Sequence, residues 1–456
     1  MHFKRYFSKL RLGLSSTVLE KIKLLQQWEN LDYKQTATLQ KKHLKEILVH
    51  SYHNVPYYKE ELLKAGAVDI LGKVNLEKFS KIPLLEKKTI RERFHDLKSK
   101  DLSMRRWYQN TSGGSTGEPV VFIQDSSYHD WSIATAILFD YWTGYFPSER
   151  KILLWGSVRD LFIGKETTKI KFLRWLKNEI WLNAFRMKAE QMRNYAIQIN
   201  SYKPAQILAY AESIYELARF IEREGLQIYS PRAIMTSAGS LFPHMRETIE
   251  RIFKTPVFNR YGCREVGAIA CECERHKGLH IASPLQFVEV IRTDGTKATQ
   301  GEAGELVITS LKNFAMPFIR YRIGDVGIWE NKECDCGRGW QRLRKISGRT
   351  TNVFFTRDGG VVSPEYFIHL IGVELNTGWI RKFQVVQENY DHVRIKIVQH
   401  EKVTNPINFY AQAIENIEQK ILLVMGNNCL VEFIFVDDIP PAESGKYLYT
   451  ITKIRK

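Results

Sequence analysis

The spacing of apolar and polar residues changes character several times along the chain. Over residues 1–100 apolar positions recur at helical spacing, as in YKQTATLQKKHLKEILVHSYH, and the proline of NVPYY ends that run. FSKIPLLEKKTIRERFHDL reads as a short extended entry followed by another helix. VVFIQD then alternates with period two, and SSYHDWSIATAILFDYW returns to helical spacing. KILLWG and AQILAYAES are short apolar runs expected as buried strands. SIYELARFIEREG sets Ile214, Leu217, Ala218 and Ile221 on one helical face and stops at Gly225. Strands alternating with helices predict an α/β core over residues 101–277.

The texture changes near residue 278. FVEVIRTDGTKATQGEAGELVITSL reads as strands around turns, with Asp294-Gly295 as a hairpin signal, and predicts a β-rich subdomain over 278–347. A boundary is expected at Ser347–Arg349. Beyond it, residues 348–456 hold a TRDGG turn, strands at KFQVVQE, HVRIKIVQH and CLVEFIFVDD, and a helix in PINFYAQAIENIEQKILLVM. The expected architecture is therefore α/β, with a large amino-terminal domain, residues 1–347, and a small α+β carboxy-terminal domain, residues 348–456.

Composition narrows the setting. A chain of 456 residues, 44% of them hydrophobic, can bury a large core divided over more than one domain. Its longest apolar runs fall short of the ~20 residues that a membrane span needs. The basic, amphipathic start MHFKRYFSKLRLGLSSTVLEKIKLLQQW lacks a continuous apolar stretch leading to a small-residue cleavage site. It does not read as a signal peptide, and a cytoplasmic protein is expected. A formal net charge of +17 favours anionic partners: nucleotides, nucleic acid, acidic glycans or a membrane surface. No zinc-finger spacing, RRM core or homeodomain pattern accompanies that charge, so nucleic acid is not the expected partner. Basic helix faces in KKHLKEILVH and FLRWLKNEIW would suit peripheral membrane contact; a merely solvated surface accounts for them equally well.

The densest motif is TSGGSTGEP, Thr111–Pro119. Amides of a glycine-rich turn can converge on an anion, and the hydroxyls of Ser112, Ser115 and Thr116 can add donors. A Walker A loop would run GxxxxGK[ST] into a helix. Here Glu118 and Pro119 follow Gly117 and a strand comes next, so that assignment fails. Downstream stand TSAGS (236–240), NRYGCREVG (259–267), YRIGDVG (321–327), SGRTTN (347–352) and ESGKYL (443–448).

In this order and at these separations the set resembles the adenylate-forming (acyl-CoA synthetase-like) superfamily. The likeness is greatest to the phenylacetate-CoA ligase family and its capsule-associated CapK branch, and it covers nearly the whole chain. The resemblance implies a mobile small domain and a two-step reaction. A carboxylate attacks the α-phosphate of ATP, and a thiol or amine then displaces AMP. By the same resemblance Ser112, Gly113, Gly114, Ser115, Thr116 and Gly117 hold the β- and γ-phosphates. Glu118 stands where the family usually has lysine. Ala238 and Gly239 run along the adenine, Tyr261 lies against it beside Gly262, and Asp325 accepts the ribose hydroxyls. Glu265 holds Mg²⁺, Arg349 reaches ribose or phosphate past the hinge, and Lys446 stabilises charge during adenylation. Trp131, Tyr141, Trp155 and Tyr210 are candidates for an aromatic acyl pocket.

Five of the six cysteines fall between 263 and 336. CECERHKGLH offers Cys271, Cys273, His276 and His280, and ECDCGRGW offers Cys334 and Cys336. Thiolates and imidazoles suit a tetrahedral Zn²⁺, and some members of the resembled family carry zinc between these segments. The expected structural set is Cys273, His280, Cys334 and Cys336, with Cys271 and His276 as alternatives. Cys263 and Cys429 read as small buried residues. The leading expectation is an ATP-, Mg²⁺- and Zn²⁺-dependent carboxylate-activating ligase that passes the acyl group to CoA or to an amine, including a sugar amine of surface-polysaccharide synthesis. The alternative is a catalytically degraded nucleotide-binding protein of a polysaccharide assembly.

Overall fold

A computed structural model describes residues 15–112, 120–156, 168–292, 294–330, 332–347, 354–357, 361–362, 364–374, 379–399, 403, 406–440 and 448–454. The described residues open with helices whose ends are written in local chemistry. The Ser15 hydroxyl accepts from the Val18 amide at the start of α1 (Ser16–Trp28). Asp32 and Gln35 form a reciprocal capping box on α2 (Tyr33–Asn54). Val55 is extended before Pro56, so α2 stops there, and Pro56 opens α3 (Pro56–Lys64), where its missing amide costs nothing. A short α4 (Lys87–Glu92) leads to an antiparallel ribbon of β1 (Trp107–Thr111) and β2 (Val121–Asp125). Helix α5 (Ser126–Trp142) follows, capped by the Asp125 carboxylate.

Among the described residues, eleven strands form one sheet. Its parallel half is β4 (Glu179–Asn183), β3 (Lys151–Trp155), β6 (Gln206–Tyr210), β7 (Ala233–Ser237) and β8 (Val257–Cys263), in that spatial order. Helices α6 (Thr168–Leu176), α7 (Ala189–Tyr202), α8 (Ala211–Arg223) and α9 (Pro243–Phe253) alternate with these strands. Direction reverses at β9 (Gly267–Glu272), and the antiparallel half continues through β10 (Leu279–Ile281), β14 (Arg342–Ser347), β13 (Tyr321–Glu330), β12 (Ala303–Ser310) and β11 (Gln286–Ile291). The α/β core and the β-rich portion thus share one continuous sheet.

The last quarter builds a four-stranded sheet in the order β19 (Leu430–Phe435), β18 (His392–Gln399), β17 (Ile380–Asn389), β20 (Thr450–Thr452). α12 (Ala411–Met425) packs on it; the helix expected there is broken at Tyr410, leaving a short α11 (Pro406–Phe409) ahead of it. α10 (Pro364–His369) precedes this unit. The unit is anchored to the parallel half. β5 (Arg186–Met187) pairs with β16 (Val361–Val362), itself paired with β15 (Phe354–Phe355), and Phe185 meets the Tyr366 ring edge-on at 5.5 Å. One buried core runs through both, from Ile207 and Leu217 to Phe383 and Ile417. Full burial of each such side chain is worth about 1.5–3 kcal/mol. No described helix is long and apolar enough to cross a membrane.

Candidate functional site

A cavity of about 540 Å³ opens where the parallel half of the sheet turns into the antiparallel half. Its lining draws on motifs far apart in sequence: Ala238, Gly239, Tyr261, Gly262, Glu265 and Asp325 all reach it. The reason lies in the topology. β7 and β8 are parallel neighbours, so the loop after β7 and the carboxyl end of β8 emerge side by side, and β13 brings Asp325 across from the other half.

Local geometry explains the motif residues. Ala238 adopts φ +53°, which turns the chain sharply off β7. A Cβ on Gly239 would lie 2.3 Å from a carboxylate oxygen of Glu212, so the glycine lets the buried acid of α8 sit directly against this loop. The Tyr261 hydroxyl donates to Asp325 Oδ2 at 2.7 Å, joining two motifs 64 residues apart. Glu265 is 6% exposed and accepts from the Tyr321 hydroxyl at 3.2 Å. The Gln124 amide donates to the backbone carbonyls of Arg264 (2.9 Å) and Glu265 (3.2 Å), fixing the turn that presents the carboxylate.

Other expectations fare differently. Ser112 is fully buried, and its hydroxyl accepts from the Val120 amide at 2.9 Å while its own amide donates to the Val120 carbonyl. Its side chain closes the base of the loop, with the hydroxyl engaged as an acceptor. Gly113, Gly114, Ser115, Thr116 and Gly117 lie outside the described residues, as do Glu118, Arg349 and Lys446. Trp155 and Tyr210 line the cavity with ring centroids 4.2 Å apart. Trp131 instead stacks on Trp28 at 5.4 Å, and Tyr141 packs on Phe146, so neither belongs to the pocket. Cys263 is half-buried, packing against the core while also lining the cavity; Cys429 is buried as expected. Sequence reasoning missed Glu212, Gln124 and Tyr321, each held to the site by long-range contacts that no local pattern encodes. It also missed Ile368 and Tyr449, which bring the last quarter of the chain to the cavity rim.

A second constellation sits at the far ends of the same strands. Cys273 follows β9, His280 lies in β10, and Cys334 and Cys336 occupy the β13–β14 connection. Their ligand atoms all fall within 4.8 Å of one another. Cys273 Sγ and Cys334 Sγ are 3.8 Å apart, too far for a disulfide, and Cys336 Sγ is 3.4 Å from His280 Nε2. Metal–sulfur bonds of ~2.3 Å and metal–nitrogen bonds of ~2.05 Å at tetrahedral angles give edges of about 3.8 and 3.6 Å, which these separations match. His280 Nδ1 donates to the Trp340 carbonyl at 3.3 Å, leaving Nε2 as the lone-pair nitrogen. Burial pushes the Cys273 thiol up to about 12. At Cys336 burial works upward too, but the contacts with His280 and Arg338 prevail and bring it down to about 6. Cys271 is buried against α5 in the core, and His276 meets Glu272 at 3.4 Å, so neither joins the set.

The knuckle is sewn to the amino-terminal helices. The Trp340 indole donates to the Trp28 carbonyl at 3.0 Å, Arg338 pairs with Glu29 at 3.2 Å, and Gly339 packs so closely on Leu31 and Asp32 that a Cβ would lie 2.3 Å from that backbone.

Comparison with known proteins now adds kinship. The family model for the CapK C-terminal domain matches residues 354–453. Protein CapK of Staphylococcus aureus is 24% identical over 440 residues, covering 96% of this chain and 92% of the relative. The chain is a homologue of CapK and the phenylacetate-coenzyme A ligases. The ligase of that name from Escherichia coli K12 is 26% identical over 340 residues, covering 72% of this chain and 74% of its own. Among solved structures, 2-hydroxyisobutyryl-CoA ligase in complex with 2-HIB-AMP and CoA superposes with a TM-score of 0.58 at 17% identity, covering 92% of this chain and 90% of that one. The fold is that of the adenylate-forming ligases, and the kinship marks the chain as an AMP-forming ligase.

Proposed function

We propose that this ligase activates a carboxylate with ATP and passes the acyl group to CoA. The observation that carries the reading is the convergence of Ala238, Gly239, Tyr261, Glu265 and Asp325 on one cavity whose other wall is aromatic. Asp325, aligned by Tyr261, supplies a carboxylate of the kind that takes hydrogen bonds from a diol. Glu265, oriented by Tyr321 and Gln124, would supply one carboxylate to a Mg²⁺, whose charge would offset that of the phosphates. Ser115, Thr116 and the glycines of their loop, with Arg349 and Lys446, complete the site in this reading. When bound, ATP and Mg²⁺ supply the leaving pyrophosphate and its charge neutralisation. The chain positions the acid and excludes water.

The knuckle holds a structural Zn²⁺ in this proposal, since four filled ligand positions leave none open for chemistry. An amine on a sugar is the second acceptor we weigh; the kinship with CapK favours a role in capsular polysaccharide synthesis. Reduced thiols and ATP both suit the cytoplasm. Peripheral contact with a membrane would run through α6, whose Phe172 and Trp175 are exposed beside Arg174. Acid-dependent exchange of pyrophosphate into ATP over a panel of carboxylates tests the main reading. Exchange at subsaturating ATP lowered about 10- to 150-fold by Asp325→Ala is the expected result. Nucleotide binding without exchange for any acid would favour the degraded, non-catalytic alternative.

A further inference from the structure

The aromatic wall of the cavity carries a charge that nucleotide binding leaves unused. Three neighbouring parallel strands, β3, β6 and β7, end in one row that continues into the middle of β8. Trp155, one step beyond the Leu154–Ala209 pair, is level with Tyr210. Tyr210 pairs with Ser237. Ser237, one step beyond the Thr236–Asn259 pair, is level with Arg260, which lies opposite Cys271 of β9. Residues in register across a sheet share a face. The face of this row is that of Leu153, Leu208 and Met235, which packs against α5. Ser132 and Ala136 of α5 close the pocket from above.

Arg260 is half-buried and lines this pocket. Among the described residues no side-chain hydrogen bond or ion pair engages its guanidinium, whereas Arg246 nearby is gripped by both oxygens of Glu272 at 2.7 Å. Strand alternation also sets Arg260 on the face opposite its neighbour Tyr261, the side chain that meets Asp325. The charge therefore belongs to the acid's side of the cavity.

We propose that Arg260 selects the substrate. The acid to be activated carries a second anionic group, which lies along the Trp155–Tyr210 floor and pairs with the guanidinium. This rests on the ligase reading above and names its substrate class. A planar guanidinium matches a carboxylate, phosphate or sulfate through two parallel hydrogen bonds. An apolar acid such as phenylacetate would leave the charge desolvated and unpaired, and a site built around a polar group discriminates strongly against ligands that lack its partner.

The test measures acids in matched pairs against the full-length protein: succinate or 3-phosphonopropionate against butyrate, and 4-carboxyphenylacetate against phenylacetate. Isothermal titration in the presence of AMP gives binding, and pyrophosphate exchange gives kcat/KM. We expect each second anion to improve both by about 10- to 150-fold, the range for hydrogen bonds to charged groups. Arg260→Met should erase that advantage while ATP affinity stays within twofold, and Arg260→Lys should retain part of it. The carboxylate and phosphonate arms identify which anion is taken. Equal binding of paired acids overturns the proposal, as does a preference that survives in Arg260→Met. So does an Arg260→Met protein that loses ATP as fast as the acid, because the charge then serves the nucleotide. A wild-type chain that binds ATP but no dianionic acid refutes the substrate class alone. One that binds no ATP refutes the ligase reading with it.

Discussion

Strands β9 and β13 both border the cavity, β9 at its start and β13 at its middle, and both lead to the knuckle. β9 starts at Gly267 on the cavity wall and leads to Cys273; β13 carries Asp325 and leads to Cys334. At ~3.3 Å per residue the Gly267–Cys273 span is about 20 Å. The two ends are built on opposite plans. At the knuckle, four ligand atoms face one another within 4.8 Å, and three of the four residues are buried. At the cavity, Tyr261, Asp325 and Arg260 border an open volume. The closed end fixes the register of two strands at a distance, and the open end can present polar groups to a ligand because its strands are already held. Stability and chemistry are thus separable along the same pair of strands.

The largest effect should come from breaking the closed end. Cys334→Ser, or removal of the metal by a strong chelator, should lower stability by on the order of 5 kcal/mol, a fraction of the ~10–16 seen where the whole fold depends on zinc. Scanning calorimetry reads the loss, and metal analysis of tag-free protein should find one zinc per chain. Metal content well below one and indifferent to Cys334→Ser would remove the closed end from the comparison. ATP affinity measured below the melting temperature should barely change.

On the open side, Lys446→Ala should slow adenylate formation by about a hundred- to a thousandfold, the usual effect of deleting one donor to a developing charge. Acyl transfer from a synthetic acyl-adenylate should survive. Equal loss of both half-reactions would indicate structural damage in place of a catalytic role. Asp325→Ala should weaken ATP by about 1.5–3 kcal/mol, with the melting temperature of the metal-loaded protein unchanged. A large fall in melting temperature would show that the Tyr261–Asp325 bond serves the fold and that the two ends are not separable.

The smallest expected effect concerns Gly239→Ala. The added methyl meets the tip of a flexible acid, so Glu212 can swing aside at a cost of about 1 kcal/mol. Adding Glu212→Ala should relieve most of that cost, and a double-mutant cycle on ATP affinity measures the coupling. Purely additive effects would mean that Glu212 does not hold the loop.

What the sequence disclosed follows the same division. The four knuckle residues were legible because thiols and imidazoles in paired short segments are rare, and their chemistry points to a shared ion. Tyr261, Glu265 and Asp325 were legible through motif order. Arg260 was not, although it sits inside NRYGCREVG, because its importance comes from lying level with Trp155, Tyr210 and Ser237 across three strand pairings. Trp131 misled for the complementary reason. An aromatic at helical spacing has a face but no address, and its address is the indole of Trp28. Ser112 read as a ligand donor because a hydroxyl beside glycines looks like one. The structure adds a contact that the sequence does not show: its hydroxyl accepts from the Val120 amide at the neck of the loop.

The close seat of Gly339 and Trp340 on the turn after α1 sets a timetable for the nascent chain. The indole of Trp340 meets the carbonyl of Trp28 across a sequence separation of 312. At ~5–20 residues per second, roughly 15–60 s of synthesis divide the two partners. Meanwhile Val18, Ile22 and Leu25 can lean on α5, made little more than a hundred residues after them, but the patch reserved for the knuckle stays wet. The amino-terminal helices therefore emerge unfinished and wait for the segment around Trp340. The cysteine pair of the β13–β14 connection emerges long after α1, the first described helix, so if the knuckle takes up a metal, this end of the molecule can close only once that pair has been made.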